Sequence, residues 1–341
     1  MTERARVACA TWSLVVLGAV ASGASTATRS TVGADPAVAT VLTLPDGRAT
    51  HAAVLVPVAG PSDADMSLGS LGIHREAAEI LARHGIATLR LASRGVDGSG
   101  GDWLASSFAD RRRDLLAAVA ALRADPRLAG ARLGMVGTSE GAALAVAAAE
   151  EAGAHFVVAL SLPMTDGIGG LRWQRDRAVE SAPVSEAEKQ AFVAASERLL
   201  SAVLEKDEAA VRVVLDGPMG AMLLPPYAMV PTEAEARLRF ALSPWYRSQL
   251  ELDVSAAAAA LRMPTLAVYG GRDRVVDADG SAARLRAIPT AGSLFTVRVE
   301  PDRGHLLLRE GDGPAAIDGV LWEAIAEWIL ERPTRRDADG G

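Results

Sequence analysis

The chain has 341 residues, half of them apolar, 23% charged and only 4% aromatic, a balance that can bury a continuous core and excludes a disordered or collagen-like chain. A formal net charge of -7 excludes a global basic surface for nucleic acid. The single cysteine, Cys9, excludes a disulfide framework and a cysteine-ligated metal.

Along the chain, Arg4 and Arg6 precede an apolar run from Val7 to Ala21, which meets the small residues Ser22 to Ala27. Positive, apolar, small is the order of a secretory signal peptide, and a run of about 15 falls short of the ~20 apolar residues of a membrane span. Residues 1–27 are therefore expected to be a signal peptide. The protein is expected to be exported, periplasmic or extracellular, with no stable membrane association after cleavage; a retained N-terminal anchor is the alternative.

After a spacer, Val38–Leu44 and Ala52–Ala59 are β-rich apolar runs joined by Pro45-Asp46-Gly47, a hairpin-type signal that predicts two adjacent antiparallel strands. Strand-like runs then alternate with helical ones: 86–92, 132–137, 155–162, 265–269 and 294–299. Leu115, Val119 and Leu122 share one face of a helix predicted over 114–124 and stopped by Pro126, and 317–330 reads as a closing amphipathic helix. This rhythm predicts an α/β domain with a mostly parallel sheet and helices on both faces. About 100 residues separate the strand near Leu162 from the one at Thr265, where a crossover needs only ~30. No strand repeat occurs there, so residues 163–263 are expected to be a helical cap inserted between core segments 38–162 and 264–331. Residues 332–341 are expected to be a disordered tail.

Chemistry concentrates in Gly137-Thr138-Ser139-Glu140-Gly141, a G-x-S-x-G motif. It follows the apolar run Leu133–Val136 and precedes the Ala-rich helical stretch 142–150, the strand, sharp turn and helix of a nucleophile elbow. A serine needs a base, and the base a carboxylate to hold its tautomer. Of five histidines, His51 starts an early strand, His74 and His84 flank a surface-type helix, and His155 begins a strand. His305, after Gly304 in the loop beyond the last strand, can reach the carboxyl edge of the sheet. Asp273 lies in the glycine turn Tyr269-Gly270-Gly271-Arg272-Asp273; Asp277 and Asp279 fall further on, where they can cap a helix. The chain order Ser139, Asp273, His305 is that of α/β-hydrolases and not of chymotrypsin or subtilisin. Oxyanion donors are expected from the backbone N–H groups of Glu140 and Ala59. Met219, Met222, Leu223 and Tyr227, scattered among prolines without a helical period, are candidate walls of a substrate pocket.

From Val38 to Glu331 the chain resembles the bacterial α/β-hydrolase-fold esterases related to the serine aminopeptidase and prolyl-oligopeptidase-like group. The matching pieces are Leu42–Gly47, Gly60–Asp65, Arg94–Gly100, the Ser139 elbow with Glu140, Ser243–Arg247, and the Asp273 and His305 loops. It departs from them at Pro57–Gly60, where the approach to the oxyanion loop is usually small-polar or His-Gly, and at Ala92-Ser93, which replace acidic residues before Arg94. The resemblance implies a carboxylic-ester hydrolase acting on a small-molecule acyl ester through an acyl-enzyme, with no metal or organic cofactor. An amidase or peptidase uses the same triad, and a non-catalytic binder of an apolar ligand is the reading from a different class. A carboxylate-nucleophile dehalogenase is disfavoured by serine at position 139, and dinucleotide binding by the lack of a G-x-G-x-x-G opening a helix.

Overall fold

In the computed structural model, which describes residues 20–22, 25–33, 35–224, 231–308 and 316–331, nine strands form one sheet. They are β1 (Val20–Ser22), β2 (Ser25–Val32), β3 (Val38–Pro45), β4 (His51–Val56), β7 (Ile86–Leu91), β8 (Arg132–Thr138), β9 (Phe156–Leu160), β10 (Thr265–Gly270) and β11 (Phe295–Glu300), with a short separate hairpin of β5 (Ser67–Leu68) and β6 (Leu71–Gly72). The spatial order is β1-β2-β3-β7-β4-β8-β9-β10-β11. From β7 to β11 all neighbours are parallel, while β1, β2 and β3 are antiparallel to their neighbours.

The two opening strands are not the adjacent pair that the sequence predicts. β7 lies between β3 and β4, so Pro45-Asp46-Gly47 joins two strands that do not touch. The reason is burial: every residue of β4 is buried, and a strand apolar on both faces belongs in the interior of a sheet with a parallel neighbour on each side. β2, within what the sequence suggests is signal segment and spacer, pairs with β3 from Ser25↔Pro45 to Val32↔Val38.

Helices cover both faces. On one side α1 (Ile73–Arg83) and α12 (Gly319–Leu330) pack through Leu81, Trp322, Ile325 and Ile329. On the other, α2 (Phe108–Ala124), α3 (Glu140–Ala148), α9 (Ser255–Ala260) and α10 (Ala278–Arg286) bury Leu115, Leu122, Ala143, Ala258 and Leu285. α2 starts earlier than its apolar period suggests because Ser107 caps it: Ser107 and Asp110 exchange side-chain and backbone bonds in a capping box. The short α11 (Ala291–Leu294) leads into β11.

Between β9 and β10 the described residues contain no strand. They form α4 (Gly167–Glu180), α5 (Glu186–Glu205), α6 (Glu208–Leu215), a 3-10 turn at Gly220–Met222, α7 (Ala234–Ala241), α8 (Pro244–Leu250) and α9. These helices have their own apolar cluster, with Leu199, Val203, Val211, Phe240, Trp245 and Tyr246 buried and Ala59, Trp103 and Leu104 of the sheet domain packed against it.

His74 does not flank the helix but lies within α1, on its buried face. It is 1% exposed, and neither ring nitrogen has a partner among the described residues. Burial, reinforced by Arg90 and opposed by Asp63, pushes its pKa down to about 3. The folded state therefore holds the ring neutral while the unfolded chain binds a proton below its ordinary value of about 6.5, so stability falls as pH drops from there toward 3. His74→Leu should remove a slope approaching ~1.4 kcal/mol per pH unit over that window, measured by urea unfolding of both proteins at pH 7.0 and 5.0.

Candidate active site

Ser139 sits in the one-residue turn between β8 and α3 with φ 57° and ψ -118°, a conformation costing a non-glycine residue on the order of 1–3 kcal/mol. The surroundings hold it there. A Cβ on Gly137 would lie 2.1 Å from the carbonyl oxygen of Gly141, and one on Gly141 would lie 2.3 Å from that of Val56 and 2.4 Å from that of Pro57. Both glycines are required by these approaches, and the second seats the elbow on the end of β4. Ser139 N–H donates to Leu160 O on β9 at 2.8 Å.

Asp273 follows β10. Its side chain is fully buried; Oδ1 accepts from the amides of Val275 at 2.7 Å and Val276 at 2.9 Å, and Oδ2 is 2.8 Å from His305 Nδ1. With Nδ1 protonated, Nε2 is left as the free acceptor. The His305 loop can come this close because residue 270 is glycine, whose Cβ would fall 2.3 Å from Gly304 O. The loop is held at a further point that the sequence does not signal: Ser161, fully buried at φ 50°, donates its hydroxyl to His305 O at 2.7 Å.

The structure thus brings Asp273 and His305 into contact. Ser139 follows β8 at the same carboxyl edge of the sheet, its N–H bonded to Leu160 O while the next residue, Ser161, holds His305 O; among the described residues no hydrogen bond joins Ser139 Oγ and the His305 ring. Of the other histidines, His51 and His155 lie at the starts of β4 and β9, the opposite edge of the sheet. Asp277 caps α10 by accepting from Gly280 N–H at 3.1 Å.

Glu140 is the first residue of α3, so its N–H has no partner within the helix. Ala59, half-buried, follows β4 and packs on the apolar cluster of α5 to α8. Its loop is tied down by Ser93, whose hydroxyl donates to Gly60 O at 2.7 Å and accepts from Ser62 N–H at 3.1 Å. Arg94, which lacks its usual acidic neighbour, instead pairs through two nitrogens with Asp114 of α2 at 2.7 and 2.8 Å.

A cavity of about 940 Å³ lies between α4, α5 and the Asp273 loop. Met222 and Leu223 line it, together with Asp273, Trp173 and Arg274, whereas Ser139 and His305 do not. Met219 packs against the apolar cluster of α5 to α8 instead, and Tyr227 lies outside the described residues.

The model of the X-Pro dipeptidyl-peptidase (S15) family matches residues 23–312. The chain belongs to that family. No curated protein matches it in sequence. Among solved structures, this S15-family chain is similar to Est1E from Butyrivibrio proteoclasticus, with TM-score 0.53, 13% identity, and 89% of this chain and 98% of that chain covered. It is also similar to acetyl xylan esterase 1 from Thermoanaerobacterium sp. JW/SL YS485, with TM-score 0.51, 16% identity and coverages of 92% and 85%. The Pyrococcus furiosus esterase Pf2001 gives TM-score 0.51, 15% identity and 88% of both chains. These likenesses establish the α/β-hydrolase fold, and family and fold together make the chain a hydrolase.

Gly270→Ala should force the His305 loop away, because the added carbon meets two backbone carbonyls. The expected outcome is a loss of about 1–3 kcal/mol in unfolding free energy and disappearance of the downfield imidazole proton signal of an Asp-bound Nδ1–H in NMR.

Proposed function

We propose that the protein is an exported serine esterase. In this reading Ser139 Oγ attacks the ester carbonyl while His305 Nε2 takes its proton, and Asp273 holds the ring and offsets its charge. The N–H groups of Glu140 and Ala59 bind the oxyanion, a contribution of ~10²–10³ in rate for each such donor. His305 then protonates the departing alkoxide. Water, losing a proton to His305, attacks the acyl-enzyme, and His305 gives that proton to Ser139 Oγ as the acyl bond breaks, releasing the acid and free Ser139. The observation that carries the reading is the Asp273–His305 bond beside a strained serine at the carboxyl edge of the sheet. Residues 38–162 and 264–331 would be the catalytic unit and 163–263 the cap.

Two of the similar structures are named as esterases, which favours ester over amide. The family model carries a peptidase name and favours the same triad acting on an amide. A panel of acyl esters and peptide amides decides between them. Ser139→Ala should lower ester turnover by at least ~10³-fold with an unchanged melting temperature, and a fluorophosphonate should label Ser139. Label on another serine, or wild-type turnover by the variant, would overturn the assignment.

Export is supported by the charge, apolar and small-residue order of residues 4–27. No helix among the described residues is long and apolar enough to cross a membrane. Cleavage ahead of Ser25 would remove the three-residue edge strand β1 and leave the β2–β3 register whole. N-terminal sequencing of the secreted protein should begin between Ser22 and Thr28, and only a start at or before Ser25 keeps every β2–β3 pair; an intact Met1 on a cytoplasmic protein would defeat the proposal.

A further inference from the structure

The reaction above uses only the backbone of Glu140, yet its side chain is a carboxylate 4% exposed, one residue from the serine whose adduct carries the oxyanion. Burying a carboxylate is costly unless it is paired and hydrogen-bonded. Two groups from different parts of the chain hold it. Arg111 of α2 forms an ion pair with Oε1, and Gln249 of the cap helix α8 donates Nε2–H to the same oxygen at 2.6 Å. Arg111 is fixed in turn by donating to Ser106 O at 2.8 Å and to Ser248 Oγ, again on α8, at 3.3 Å.

α8 is seated firmly enough to act as an anchor. A Cβ on Gly167 of α4 would lie 1.7 Å from Gln249 O, which fixes α8 against its neighbour, and Trp245 N–H ties it to the sheet domain by donating to Leu104 O at 3.1 Å. The grip on Glu140 therefore depends on where the cap sits.

We propose that Glu140 is a positioning residue for the oxyanion-binding amide and that Gln249 transmits the seating of the cap to it. This rests on the acyl-enzyme reading of Ser139. With its carboxylate clasped on the side of α2 and α8, Glu140 has little freedom to rotate, and the peptide between Ser139 and Glu140 keeps its N–H aimed where the oxyanion forms. Such a donor is effective because it is oriented before the reaction begins, and small misplacements are expensive. Arg111 has a second effect: it offsets a negative charge that, left unpaired, would oppose the oxyanion across a water-poor distance.

The decisive variant is Gln249→Ala in the full chain, which leaves the Arg111 ion pair in place. Relative to wild type, kcat on a short-chain acyl ester should fall about tenfold, a fraction of what removal of a whole oxyanion donor costs. The Ki of a trifluoromethyl ketone, whose adduct carries the oxyanion, should rise by a similar factor, with KM within twofold. Glu140→Ala should lose more, and adding Gln249→Ala to it should cost nothing further, because the two act as one unit. If Glu140→Ala does not fold, the single Gln249 variant decides alone. Unchanged kcat and Ki in Gln249→Ala would overturn the positioning role, as would a change confined to KM or melting temperature. Fluorophosphonate labelling of wild-type Ser139 separates the two layers: no label overturns the serine-hydrolase reading itself, whereas label with an unaffected Gln249→Ala removes only the positioning role.

Discussion

The approach of β8 to α3 at Gly137 and Gly141 is the constraint on which the rest of the structure depends. Backbone atoms stand where any Cβ would go, so the strand must turn into the helix within a single residue, and that residue must take a positive φ. The same contact brings the end of β4 under the turn, which delivers the 57–60 loop to the serine. It also points the helix N-terminus, with its unpartnered amides and positive dipole end, at the place where negative charge would develop. Parallel registry does the remainder: β8 with β9, β9 with β10 and β10 with β11 place Leu160 and Ser161, Asp273 and the His305 loop along one edge.

The elements nearest the chemistry were legible in the sequence because each carries its own local signal. β8, β10 and β11 are apolar runs, the first two closed by glycine turns, and the elbow glycines flank the serine at the spacing a tight turn requires. What was illegible depends on partners far away in the chain. The neighbours of β3 and β4 follow from which strand is covered on both faces, not from the turn joining them. β2 is polar enough to pass as a spacer, and only its pairing with β3 makes it a strand. Ser161 looks like any serine after an apolar run; its worth lies in a bond to a carbonyl 144 residues on. Gln249 and Arg111 give no hint in sequence that they meet at Glu140.

The loop bearing Ala59 is stiffened without regular structure. Ser93 holds it at Gly60 and Ser62, and Asp97 accepts from Ala64 N–H at 3.4 Å while receiving Arg29 of β2 at 2.8 Å. Below it, Asp65 forms an ion pair with buried Arg90 of β7. Exposed ion pairs contribute little, but a buried charge that loses its partner costs a great deal. The Arg90 pair therefore resists movement of the loop more strongly than the Arg29 pair does.

The separate apolar cluster of the helices between β9 and β10 bears on how the chain folds. β9 and β10 are sheet neighbours, yet their pairing closes a loop of about a hundred residues, and the entropy of closure grows with loop length while strands wait to meet. Because helices α5 to α8 share one apolar cluster of Leu199, Phe240, Trp245 and Tyr246, onto which Trp103 and Leu104 also pack, most of that cluster comes from within the intervening chain, which can collapse locally first. The distance left to search is then that between the ends of a compact body and not that of a free coil, so β10 finds β9 sooner than the number of residues between them would suggest.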